Sequence, residues 1–186
     1  MVRMPVPLKQ RPFDWVLLAF FAINLFLISY VVSLEQIAIA DPFHFEYPPW
    51  PPRPAIDLVH WWEKAYDPLL LARPPWYRAT IWIDDLVFGP FYAVALWAFA
   101  KGKDWIRTPS LLWAGVMMTN VAIILFEEAV GPHASPHFGI VFMANAWWFL
   151  FPVLLVVRMV KGGEHPFSTV AASSAPEAFP QQAAQA

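Results

Sequence analysis

A chain of 186 residues that is 59% hydrophobic and only 14% charged is far too apolar for a soluble domain, which carries roughly 25% charged residues. Its formal net charge of −2 argues against a nucleic-acid partner. The absence of cysteine excludes disulfides, thiolate metal sites and a cysteine nucleophile.

In chain order, four stretches are long and apolar enough to cross a bilayer, where about 20 residues are needed. The first runs from about Trp15 to Leu34. Ala38-Ile39-Ala40 beyond it resembles a signal-peptide cleavage site. The apolar core is longer than a signal sequence needs, so we read a retained helix. Residues 41–54, "DPFHFEYPPWPPRP", hold too many prolines for a helix interior and read as an irregular aromatic cover. "AIDLVHWWEKAYDPLL" follows, with apolar and charged residues at near-helical spacing. It predicts a short amphipathic helix at the interface, ended by Asp67-Pro68. The second span runs from about Ala79 to Ala100, the third from about Ser110 to Phe126 and the fourth from about Gly139 to Val160. Gly89-Pro90 and Pro152 fall inside spans two and four. Such prolines are either simply tolerated in a membrane helix or kink it and open a pocket. From Gly162 the chain turns to Gly, Ser, Ala, Pro and Gln, with nothing to bury, and predicts a disordered tail over 162–186.

The basic residues predict the topology. Arg3, Lys9 and Arg11 precede span one, Lys101, Lys103 and Arg107 fill the second connection, and Arg158 and Lys161 close span four. With four spans these clusters share one side, which places both termini in the cytoplasm. Residues 1–12 are then a cytoplasmic N-terminus and 13–161 the membrane domain.

Asp84 and Asp85 stand side by side inside span two. A charged residue at the bilayer centre costs about 2.5–3.5 kcal/mol on insertion scales, so the pair needs a reason. At 1.5 Å per residue, Asp85 lies about 9 Å below Ala79, Asn120 about 10 Å below Glu127, and Asn145 about 9 Å below Gly139. Trp148 is one turn beyond Asn145; Ser29, Ser33 and Glu35 close the first span. Each span thus brings a polar group to one layer of the non-cytoplasmic half, and below it the spans are apolar except for Asn24. The ordinary role of Asn24 and Asn120 is an interhelical hydrogen bond, worth about 0.6 kcal/mol. Glu35, Glu127 and Glu128 sit at span ends, where carboxylates are usually solvated. His133 and His137 lie in the proline-broken loop "GPHASPH", which does not hold them on one helical face, so no metal site is expected. Asp67 and Asp85 are expected to approach each other, with Pro68 fixing Asp67 at the interface.

"DPLL" at 67–70, "DLVF" at 85–88 and "WIRTP" at 105–109, in this order, with "NAWWFLFP" at 145–152, resemble the EXPERA-domain family. That family comprises four-helix membrane proteins and includes sigma-2-type receptors and emopamil-binding sterol isomerases. The resemblance covers about residues 13–160. It implies an all-α, four-transmembrane-helix bundle of EXPERA type with a pocket for sterols or cationic amphiphiles. Carried over by motif, Asp67 and Asp85 are pocket acids. A third family acid falls on Ser33 in ungapped register, with Glu35 two residues on. Asn145 and Trp148 match the isomerase pattern, whereas its first-span His and Glu find no equivalent and its second-span Glu falls near Ile81, a turn from Asp84 and Asp85.

Moving an alkene within a sterol ring needs an acid, a base and a surface that stabilises a carbocation. Carboxylates and an indole face supply these. The expected ligand-binding residues are Asp67, Asp85, Asn145, Trp148, Glu35, Ser33, Asn120 and Glu128. The catalytic candidates are Asp84, Asp85, Asn145 and Trp148, with Glu35 or Glu128 as second proton-handling group. The first expectation is a binder of a sterol-like or isoprenoid lipid, the alternative an isomerase acting on one. No cofactor is implied. The partners are that lipid and the bilayer, with a homodimer allowed.

Overall fold

The computed structural model describes residues 3–170. Four long apolar helices cross in alternating directions: α1 (Pro12–Ala38), α4 (Pro75–Ala100), α5 (Asp104–Val130) and α6 (Phe138–Lys161). Each extends a few residues beyond the apolar stretch that marks it. Between α1 and α4 lie the amphipathic helix α2 (Arg53–Ala65) and the short α3 (Pro68–Ala72). The sequence-based expectation of four spans with an interfacial helix after the first is met. In α2 the buried residues are Ile56, Val59, His60 and Glu63, the 3–4 spacing of one helical face. Asp67 ends this run by capping α3, its carboxylate accepting the Leu70 N–H at 2.8 Å.

Two helices are not regular. Over Asn24–Ser33 in α1 and Asp84–Phe88 in α4 the turns widen to i→i+5 bonding. The second widening directly precedes Gly89-Pro90, where proline brings no N–H and crowds the preceding turn. The two widened stretches lie against each other. A Cβ on Gly89 would come within 2.7 Å of the Tyr30 hydroxyl, so a larger residue there would push the end of the Tyr30 side chain aside. The Trp50 indole N–H, from the proline-rich cover, donates to the Tyr30 carbonyl at 2.7 Å. In a bilayer such a backbone acceptor has no water to turn to. In α6, helical bonding is interrupted at Ala146, six residues before Pro152.

One half of the bundle is a dry core. Phe20 stacks on Phe151 at 4.3 Å between ring centroids, and Phe91 on Trp113 at 5.1 Å. Leu17, Phe21, Tyr92, Phe99, Leu155 and Met159 are fully enclosed around them. The basic end closes this half. Asp14, without solvent contact, is bridged by Arg11 at 2.5 Å and by Arg158 at 2.8 Å. Phe167 packs against both guanidiniums, 4.9 and 5.0 Å from its ring centroid, and is fully buried. Asp104 accepts the Phe167 N–H at 2.7 Å and the Ser168 hydroxyl. Strands β1 (Arg3–Pro5) and β2 (Ser168–Val170) pair antiparallel across this end. The expected disordered tail therefore does not begin at 162. One buried aromatic and a shared aspartate hold residues 162–170 against the bundle, and 171–186 lie outside the described residues.

The opposite end is closed by a buried charge cluster. Arg73, at the C-terminus of α3, adopts a left-handed backbone with φ of 45°, a position usually taken by glycine. From there its guanidinium reaches both Glu35 oxygens at 3.2 and 3.0 Å and Glu63 at 2.9 Å. His60 contacts Glu35 at 2.8 Å. The cluster fastens α2 and α3 onto the end of α1. The Ser135 hydroxyl, donating to the Tyr66 carbonyl at 2.6 Å, fastens them to the loop after α5.

Two outcomes follow from these ends. Phe167→Ala empties the site against Arg11 and Arg158; a fully buried Phe→Ala change typically costs about 3–5 kcal/mol. The variant should melt lower in detergent and be cut faster by protease within residues 162–170, and unchanged protection would contradict the clasp. For Glu63, burial pushes the carboxyl above its ordinary value, against the lowering pull of Arg73 and His60. A carboxyl raised in the fold contributes stability that is complete below the ordinary value of about 4.3 and is lost as pH rises through the raised one. Glu63→Gln keeps an acceptor for Arg73 but cannot ionise. It should melt at or above the wild type at neutral pH, with a flatter pH profile over that window; a large drop there would show that the ionised carboxylate is required.

Candidate functional site

A cavity of about 400 Å³ occupies the half of the bundle away from the basic end. Helix α1 gives Ile28, Val32, Ser33 and Gln36; α4 gives Tyr77, Thr80, Ile81, Asp84 and Phe88. Helix α5 gives Met117, Asn120, Val121 and Ile124, and α6 gives Ala144, Asn145 and Trp148. The cover completes it through Leu58, Val59, Trp61 and Trp62 of α2, Asp67, and Leu70 of α3. Leu58 and Trp61 are largely exposed and mark its rim. The irregularities of α1, α4 and α6 all fall along this wall: Ser33, Asp84 and Phe88 belong to the widened turns, and Asn145 and Trp148 flank the break at Ala146.

Most polar groups on the wall are already oriented by the protein. The Ser33 hydroxyl donates to Asp84 at 2.7 Å. Asp67 holds the N-terminus of α3 and receives the Trp62 indole N–H at 3.4 Å. Asn145 donates to the Val141 carbonyl at 2.9 Å. The Trp148 indole N–H donates to Asn24 at 2.7 Å, and the Asn24 amide donates to the Phe20 carbonyl at 2.8 Å. Among the described residues, the lining includes two carboxylates and no lysine, arginine or histidine. The wall is otherwise aliphatic and aromatic. Such an interior accepts an apolar body and favours one cationic or hydrogen-bonding group on it.

Of the residues singled out in the sequence, Asp67, Ser33, Asp84, Asn120, Asn145 and Trp148 are brought together on this wall. Three are placed elsewhere. Asp85 is buried beside α1, with its backbone carbonyl facing the Tyr30 hydroxyl at 3.3 Å, and Asp84 rather than Asp85 reaches the cavity. The expected approach of Asp67 to Asp85 is replaced by one of Asp67 to Glu128, which lies behind the wall. Glu35 is engaged by Arg73 and His60 and does not line the cavity. Sequence reasoning gave Asn24 only a generic interhelical role and did not find Arg73. The depth ruler carried a signal for Asn24: it lies about 15 Å below Leu34 and Trp148 about 13 Å below Gly139, at nearly one level.

These features agree with comparison to known proteins. The family description EXPERA (EXPanded EBP superfamily) matches residues 54–159. The chain is similar to Sigma intracellular receptor 2 of Xenopus tropicalis, 32% identical over 120 residues that make up 59% of this chain and 70% of that protein. It is 27% identical to Sigma intracellular receptor 2 of Homo sapiens over 172 residues, 85% of this chain and 93% of that protein. The protein of the same name from Macaca fascicularis is 26% identical over the same length. A family match across more than half of the chain, on four membrane-length helices that enclose an acidic and aromatic cavity, identifies this protein as a member of the EXPERA family.

Proposed function

We propose that this protein binds a sterol-like or isoprenoid lipid, or a cationic amphiphile of similar shape, in the cavity between its four spans. The observation that carries the reading is the lining: two carboxylates, no cation among the described residues, and otherwise apolar walls. A volume of about 400 Å³ falls within the range of roughly 300–1,000 Å³ typical of small-molecule sites. The relatives are named as receptors, in keeping with a ligand-binding role. Asp84 is the counter-charge for a cationic group. It touches Ser33, the position on which the family's first-span acid falls, so the carboxylate reaches that spot from α4 instead of α1.

Asp84→Asn keeps an acceptor for Ser33 and removes the charge. It should leave the fold intact and weaken binding of a tertiary-amine amphiphile by about tenfold or more, the usual worth of a charge-assisted bond. Unchanged affinity would contradict the assignment. The isomerase reading is favoured by one observation, that Asn145, Trp148 and Asp84 share one wall. Its acid–base step needs a proton carrier in reach of the ring, and it would leave deuterium on the shifted carbon during turnover in deuterated water. Deuterium incorporation that disappears in Asp84→Asn would make the protein an enzyme.

We also infer that both termini face the cytoplasm. Arg11, Arg107 and Arg158 gather at one end of the bundle, as the distribution of basic residues in membrane proteins favours for the cytoplasmic side. A reporter fused after residue 161 should read cytoplasmic and one inserted near Pro51 the opposite side; the same side for both would contradict the four-span topology.

A further inference from the structure

Of the two cavity-lining tryptophans with defined N–H partners, Trp148 alone gives its donor to a residue outside the lining. Trp62 turns its N–H to Asp67, and Trp148 turns its own to Asn24. For Trp148 the consequence is specific. Its only polar atom is held at 2.7 Å by a side chain on α1 that is itself almost wholly buried and whose amide is fixed to the Phe20 carbonyl. The indole can therefore meet a ligand through its carbon edge and π face alone, never as a hydrogen-bond donor.

We propose that Asn24, which does not line the cavity, is a positioning residue that makes the site discriminate charged from neutral ligands. By occupying the Trp148 N–H it holds the donor away from the cavity, so that the indole offers a cationic centre its carbon surface and π electrons. The inference rests on the ligand-binding reading above and deepens it. Without Asn24 the indole N–H is left unpaired in a region without water, which is costly. Asn120, Asn145 and Asp84 on the cavity side then become its available acceptors. Rotation toward them replaces an aromatic face by a donor and narrows the space beside Asp84. A cationic ligand keeps Asp84 but loses its aromatic partner, whereas a neutral ligand of the same shape loses only van der Waals contact.

The test uses the full chain in lipid nanodiscs and two probes that differ only in charge: a sterol with a protonated ring nitrogen, and the parent carbon sterol. Asn24→Leu should weaken the aza-sterol by roughly tenfold, the scale of a desolvated cation–π contact, and the neutral sterol much less. Asn24→Asp, which as the neutral acid can both accept from Trp148 and donate to Phe20, should restore the preference. In a Trp148→Phe background, Asn24→Leu should add nothing to the ratio of the two affinities. Because the readout is a ratio within one sample, partial unfolding lowers both affinities together and does not mimic it. Equal loss of both probes, or an Asn24→Leu effect that persists in Trp148→Phe, would overturn the positioning role and leave the binding reading standing. Failure of the wild type to bind either probe would overturn both.

Discussion

Hydrocarbon offers no hydrogen bonds, and this constraint organises the molecule. Every polar side chain carried into the bilayer has to find its partner on another helix, on its own backbone or in a bound molecule. Ser33 meets Asp84, Asn24 meets Trp148, and Asn145 turns back on its own helix. The same rule acts on the backbone, where Trp50 reaches the Tyr30 carbonyl inside the widened stretch of α1. The rule is met on the cavity wall, where Asp67 and Asp84 both have partners within the protein, and is strained behind it, where the carboxylates of Asp85 and Glu128 have none.

The two ends of the bundle solve a different problem by similar means. Each is closed by a buried acid or pair of acids bridged by arginine, and in each the arginine also binds backbone carbonyls. At the basic end the bridge gathers the beginning of α1, the end of α6 and the segment around Phe167. At the other end it gathers the cover. Between them one half of the bundle is packed solid by aromatic rings and the other half is left open, so the cavity has a rigid floor and a fastened roof.

Much of this was legible in the sequence. Hydropathy set the spans, the prolines set the cover, and a rise of about 1.5 Å per residue brought Asn120, Asn145 and the Asp84–Asp85 pair to one level. What stayed hidden has physical causes. A helical projection of 100° per residue does not hold through a widened turn, so it could not say which of Asp84 and Asp85 faces inward. Glu35 looked like a free terminal carboxylate because its partner, Arg73, stands 38 residues away in what reads as a short linker. The stripe Ile56, Val59, His60, Glu63 did carry a sign of it: two ionisable residues on the buried face of an amphipathic helix demand partners. Phe167 stands among small and polar residues after the last span, and Asp14, the acid bridged by the two arginines it packs against, lies at the far end of the chain.

The charge cluster of the cover also orders events during synthesis. Glu35 ends the first span, His60 and Glu63 follow on α2, and Arg73 comes last, two residues before α4 begins. Until Arg73 has been made and delivered to the same side, the acids have no guanidinium between them, and burying them unpaired is strongly unfavourable. The roof of the cavity therefore cannot close on a nascent chain that has inserted only its first helix. Closure waits for the segment that leads into the second, so the roof and a committed two-helix hairpin arise together.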